Sequence, residues 1–168
     1  MDAAPALPRS GRTRGFCLGT AANCPCGNGN SGGGCASSAN SSGAFLYGYG
    51  FASAASDTVD LTVNSGVPSA AILFFQGTSR INLGAGAHFG DGLLCVGGTS
   101  IRLGVTQTNS LGETTFGHGA ASTPSISVAG FVSPGDIRHY QGWYRDNAAF
   151  CQPELYNLTN GLTVTWTF

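Results

Sequence analysis

Residues 138–160 read RHYQGWYRDNAAFCQPELYNLTN and hold three of the five tyrosines, one of the two tryptophans and the last of the six cysteines. Their first half alternates. Tyr140, Gly142 and Tyr144 fall on one face of an extended strand, and Gln141, Trp143 and Arg145 fall on the other. Large aromatics on both faces predict a central strand covered on both sides. Asp146-Asn147 reads as a turn, Cys151 as a pin for the segment after it, and Asn157-Leu158-Thr159-Asn160-Gly161 as turn chemistry. A closing strand comes next, with Leu162, Val164, Trp166 and Phe168 alternating with Thr163, Thr165 and Thr167.

Outward from that stretch the period of two recurs. In AFLYGYGF (44–51), Phe45, Tyr47, Tyr49 and Phe51 share one face; Leu46, Gly48 and Gly50 share the other, which suggests a surface against which something packs closely. In DTVDLTVN (57–64), Val59, Leu61 and Val63 alternate with polar residues, as in a half-buried antiparallel strand. AAILFFQG (70–77) is a continuous apolar run and is expected to be a fully buried strand. SIRLGVT (100–106) is expected to bury Ile101, Leu103 and Val105, and SISVAGFV (125–132) to bury Ile126 and Val128. Turns are marked at Ser65–Pro68 and Pro134–Asp136. No window of helical length shows a 3.6-residue period. The expected fold is all-β, an antiparallel β-sandwich of jelly-roll or Ig-like type, with about eight short strands and little helix.

A chain of 168 residues makes one domain, large enough to bury a sizeable core. Residues 1–15, with two prolines and three arginines, read as an arm or linker, and residues 16–168 as a single sandwich domain with a cysteine knot at 16–35. Charged residues are only 9% of the chain, lysine is absent, and the net charge is -1, so nothing resembles an electrostatic footprint for nucleic acid or an anionic membrane. No run approaches the length of a membrane span. Met1–Pro5 lacks the basic start and apolar core of a signal peptide, so a leader is expected to have been removed.

Six cysteines in a small glycine-rich chain predict disulfides and an oxidising compartment. Cys24 and Cys26 flank a single proline and are poorly placed to bond each other. Two local pairings remain open: Cys17–Cys26 with Cys24–Cys35, the preferred one, or Cys17–Cys24 with Cys26–Cys35. Either leaves Cys95–Cys151 to close a long loop. A zinc site from the first four cysteines is disfavoured, because zinc knuckles use C-x₂₋₄-C rather than C-x-C.

Several segments in combination resemble a known cysteine-rich module: FC-x-G, CPCGN, G-x-GC-x-x-S, LFFQG, FGDGL-x-C-x-GG, YQ-x-WYRD and NLTNG, spanning Phe16 to Trp166. The module recurs in predicted exported proteins of planctomycetes and myxobacteria. The resemblance implies an exported or cell-surface bacterial protein. It brings no catalytic or ligand residues with it, and the arm lies outside it.

No G-x-S-x-G nucleophile elbow occurs, and His88, His118 and His139 are scattered without the spacing of a metal site. The acidic residues Asp91, Asp136, Asp146 and Glu154 sit in expected loops, and Asp91 in Phe89-Gly90-Asp91-Gly92 reads as a turn former. No cofactor is expected; calcium is the candidate metal at Asp91, Asp136 and Asp146, since such loops offer oxygen ligands. Tyr140, Trp143 and Tyr144 form the candidate sugar-stacking platform, set against simple core packing. Arg145 and Asp146 read as a local pair or loop support. The sequons at Asn40 and Asn157 matter only in a host that glycosylates, and Asn157 is expected to cap a turn.

The functional expectation is non-enzymatic: an exported structural or cell-surface building block, self-assembling into a filament or layer through its N-terminal arm and edge strands. Its partners would be copies of itself or other extracellular subunits. The alternative is a carbohydrate-binding module with an aromatic platform and polysaccharide as partner.

Overall fold

A computed structural model describes residues 13–168, so the arm at residues 1–12, with Arg9 and Arg12, lies outside the described residues. The chain runs through β1 (Thr13–Phe16), β2 (Phe45–Tyr49), β3 (Asp60–Asn64), β4 (Ala71–Gly77), β5 (Ser79–Arg80), β6 (Ala87–Phe89), β7 (Gly92–Leu94), β8 (Val96–Gly97), β9 (Ile101–Gln107), β10 (Thr114–Gly117), one helical turn α1 (Ile126–Ala129), β11 (Ile137–Arg145), β12 (Tyr156–Leu158) and β13 (Gly161–Thr165). Among the described residues thirteen strands replace the roughly eight expected, mainly because the 79–97 segment folds into short ribbons rather than a loop. The architecture is an all-β antiparallel sandwich stapled by disulfides. The larger sheet runs β1-β13-β11-β4-β9, with β12 also on β11, and the smaller sheet runs β10-β3-β2. Residues 13–15, read from sequence as arm, are edge strand: Thr13–Phe16 pair with Val164–Gly161.

Alternation decides what each strand buries. Leu46, Leu61, Val63 and Phe116 from the smaller sheet meet Ile72, Phe74, Tyr140, Tyr144, Leu162 and Val164 from the larger, and Trp166 closes the core. Gly48 lets the sheets approach at one flank, since a Cβ there would stand 2.9 Å from Leu162 Cδ2. On that flank Thr13 Oγ1 donates to the Gly48 carbonyl (3.1 Å), bridging β1 to β2. On the other, Thr114 Oγ1 donates to Thr106 Oγ1 (2.7 Å), bridging β10 to β9. The edges of one sheet therefore lie beside the edges of the other.

Four local expectations change. The 70–77 strand is not fully buried: Ile72 and Phe74 enter the core, while Leu73 and Phe75 stand half-buried on the outer face. The register between β4 and β9 shifts at Phe74/Phe75, leaving Leu103 without a cross-strand partner. This bulge reverses the alternation, so Leu103 is buried while Val105 is 60% exposed. Ile126 is buried as expected, but in a helical turn, which puts Val128 at 66% exposure. Asn157–Gly161 is not a turn. It joins β12 to β13 along one edge of β11 and is wholly buried. The break is bridged by Thr159, whose N–H donates to the Gly142 carbonyl (2.9 Å) and whose hydroxyl accepts from Gly142 N–H (3.0 Å).

The disulfides are Cys17–Cys95, Cys24–Cys35 and Cys26–Cys151. Only Cys24–Cys35 matches the preferred pairing. Cys17 follows directly on β1 and meets Cys95 between β7 and β8, while the loop carrying Cys26 reaches the 146–155 loop. Sequence separation gives no access to either meeting. Three disulfides fit an oxidising environment, and among the described residues no helix is long and apolar enough to cross a membrane.

Candidate functional site

The candidate platform does not assemble, and core packing, its alternative, takes two of the three rings. Tyr140 and Tyr144 point into the core with no exposure, and Tyr140 Oη accepts from Trp166 Nε1 at 3.0 Å. Burial pushes both phenols up, so they stay neutral. Only Trp143 faces outward, one step along the alternation from Tyr144.

Trp143 lies instead in a cleft on the outer face of the larger sheet. The floor follows from register: Leu73 of β4, Trp143 of β11 and Leu158 of β12 form one row, and Phe75 of β4 sits beside Arg102 of β9 in the next. The wall comes from the β6–β7 hairpin, which contributes Phe89 and Leu94, and from Tyr156. Phe89, Tyr156 and Trp143 form a chain of tilted rings at 5.0 and 5.7 Å between centroids, and the Arg145 guanidinium stands 5.7 Å from the Trp143 ring. The cleft encloses about 470 Å³.

That hairpin is held rigidly. Gly90-Asp91 is its two-residue turn, opened by a glycine at φ +58°, which bears out the turn assignment for Asp91. Gln141, with no exposure, accepts from Cys95 N–H (2.9 Å) and donates to the Leu93 and Thr159 carbonyls (2.8 and 2.7 Å). The Cys17–Cys95 bond adds a covalent tie.

A second surface feature lies on the outer face of the smaller sheet. Phe45, Tyr47 and Tyr49 line β2 as a ladder, with centroids 5.8 and 6.3 Å apart. Tyr47 pairs across with Thr62, which pairs with Thr115, and the two threonine hydroxyls are 3.0 Å apart. Asn64, Asn109 and Glu113 complete a polar depression of about 350 Å³. Tyr49 is 51% exposed, and partial desolvation followed by the Asp60 charge holds its hydroxyl above its ordinary pKa, protonated and able to donate.

The aspartates among the described residues are occupied as loop staples. Asp146 Oδ2 accepts from Ser38 N–H (2.7 Å) and its other oxygen from the Ser38 hydroxyl. Asp57 accepts from Val59 and Ser127 N–H, and Asp60 from Gly119 N–H. Asp136 accepts from Ser133 N–H and forms an ion pair with Arg138 at 2.8 Å. Asp91 accepts from Gln152 N–H, while its second oxygen is buried without a partner among the described residues; burial, the largest cause, pushes its carboxyl up. The three aspartates weighed for calcium do not gather: Asp136 pairs with Arg138, Asp146 serves Ser38, and no group of three His, Cys, Asp or Glu side chains that could hold a metal ion forms among the described residues. Arg145 does not pair with Asp146 but turns to Trp143.

The histidines serve apart as well. His88 Nε2 contacts the Asn23 carbonyl, and His139, buried against Thr163 and Phe16, is held below its ordinary pKa by burial and then by Arg80. Asn157 caps no turn; its buried amide donates to the Cys35 and Ala36 carbonyls. The sequence shows the aromatic face of residues 45–51 but not that it points outward. Phe89 and Tyr156 give no signal, because a hairpin and a three-residue strand bring them to Trp143 from distant positions.

Fold and surface together define a disulfide-locked β-sandwich with an aromatic cleft on one outer face and a tyrosine-flanked polar depression on the other. No family model, curated protein or solved structure matches the chain.

Proposed function

We propose that this chain is an exported, non-catalytic building block of a cell surface or extracellular matrix, and that it attaches to neutral polysaccharide through the outer face of its smaller sheet. The observation that carries this is the Phe45–Tyr47–Tyr49 ladder beside the Thr62–Thr115 hydroxyls and the Asn64 and Asn109 amides. Aromatic rings offer apolar surface to the C–H face of a pyranose, and the adjoining hydroxyls and amides can exchange hydrogen bonds with its rim. A non-catalytic role is supported by the use of the aspartates in fixing loops. Export is supported by the three disulfides and by the resemblance of the FC-x-G to NLTNG motifs to an exported module. Attachment suits the fold better than edge-to-edge polymerisation, because the sheet edges flank one another.

The test is calorimetric titration with soluble β-glucans, xylans and chitin oligosaccharides, with pull-down on their insoluble forms. Saturable binding to at least one is expected, weakened about tenfold by Tyr49→Ala, the worth of one good aromatic contact. Absence of binding to every glycan, or binding indifferent to Tyr49→Ala and Tyr47→Ala, would overturn it.

A further inference from the structure

We infer that the cleft on the larger sheet is a second and independent site, for a small free amphiphile that joins an apolar body to a single carboxylate. Its floor of Leu73, Phe75, Trp143 and Leu158 and its wall of Phe89 and Tyr156 offer apolar and aromatic surface almost throughout. An apolar ligand body is stabilised there in proportion to the area it buries. Among the described residues, the only charged one lining the cleft is Arg102. Its pairing with Phe75 on the neighbouring strand sets it beside the apolar floor.

Among the described residues no carboxylate lines the cleft, and the one ion pair is Arg138–Asp136. A second guanidinium, that of Arg145, sits over Trp143. Two cations beside an apolar recess complement an anionic head group and disfavour a cationic one. A neutral sugar is poorly matched, because among the described residues the lining holds no side-chain amide and a single hydroxyl, that of Tyr156. At about 470 Å³ the cleft has the size of a small-molecule site. It is also preformed, since Gln141 and the Cys17–Cys95 bond fix the hairpin wall. Binding therefore requires little ordering of the protein.

The test uses the oxidised full chain, titrated with sodium octanoate below its micellar range and, in parallel, with octyltrimethylammonium. Heat and tryptophan fluorescence are both followed. Octanoate is expected to bind saturably at one site and to change the emission; the ammonium amphiphile should bind at least about tenfold more weakly, the scale of one charge-assisted contact. Arg102→Gln should lower octanoate affinity by about tenfold without moving the unfolding midpoint, and Arg102→Lys should restore much of it. Trp143→Phe should remove the emission change while leaving the heat, because Trp166 is buried in the core. Tyr49→Ala should leave octanoate binding intact, which separates this site from the saccharide face. Equal affinity for the two head groups, an Arg102→Gln variant that binds octanoate normally, or no saturable binding would each overturn the assignment. So would binding of an acidic, leucine-rich peptide by a chain that ignores octanoate.

Discussion

Gln141 makes three hydrogen bonds from a position with no solvent access, to the backbone of Leu93, Cys95 and Thr159. Gln141→Leu keeps the volume but leaves those backbone groups unpaired away from water. Losing partners for several buried groups should cost about 3 kcal/mol, seen as a lower urea midpoint at unchanged slope. Two buried titratable residues give opposite pH signatures. His139 is held below its ordinary value of 6.5, so the unfolded chain takes up that proton before the native protein does. Stability should then fall as pH drops through 6.5 toward the lowered native value, and His139→Gln should flatten that slope. Asp91 is held above its ordinary value of 3.8, so the native state keeps its proton to higher pH than the unfolded chain. Its contribution should be lost as pH rises from 3.8 through the raised value, and Asp91→Asn should flatten the profile there. Denaturation midpoints for wild type and both variants, from about pH 4 to 8, check both signs.

At the scale of elements, the joint between β12 and β13 holds the sandwich together. Thr159 bridges to Gly142, and Asn160 reaches across to the smaller sheet, accepting from Leu46 N–H (2.8 Å) and donating to its carbonyl (3.0 Å). Thr159→Val keeps the shape but strips Gly142 N–H of its acceptor, with an expected loss of about 2 kcal/mol. Asn160→Ala orphans both Leu46 groups and should cost more; thermal melts of the two variants give the order. The same joint marks the limit of what the sequence shows. Strands with long alternation, around residues 45–49, 60–64 and 137–145, are legible because one period repeats over several residues. Asn157–Gly161 carries the composition of a turn, and nothing local reveals that its polar side chains are used inside a sheet. The helical turn at Ile126 is shorter than two helical repeats, so no period can form. Val105 escapes the pattern because a one-residue bulge at Leu103 is invisible in the alternation on either side. The candidate site is less legible still: Trp143 stands out in the sequence, but Leu73, Phe89, Arg102 and Tyr156 converge on it only through tertiary register.

For the molecule as a whole, residues 17–44 contain no strand beyond one isolated bridge, Thr20 to Asn30, yet they pack tightly on the sandwich. A Cβ at Gly34 would stand 2.2 Å from the Leu158 carbonyl oxygen, so this segment lies directly on β12. Its hydrogen bonds alone would offset little of the entropy of ordering so glycine-rich a chain. All three disulfides have an end in it, with sequence separations of 11 for Cys24–Cys35, 78 for Cys17–Cys95 and 125 for Cys26–Cys151. If constraint of the unfolded chain dominates, the contributions rise with loop length, from about 3 kcal/mol for the shortest to about 5 for the longest. Paired Cys→Ser variants should therefore lose stability in the order Cys24/Cys35, then Cys17/Cys95, then Cys26/Cys151, read from urea midpoints under non-reducing conditions. Function should divide differently from stability. Removing Cys17–Cys95 loosens the wall that carries Phe89 and Leu94, so octanoate binding should weaken while glycan binding at Tyr49 persists. A Cys17→Ser/Cys95→Ser variant that binds octanoate as well as wild type would show that Gln141 alone keeps the cleft open.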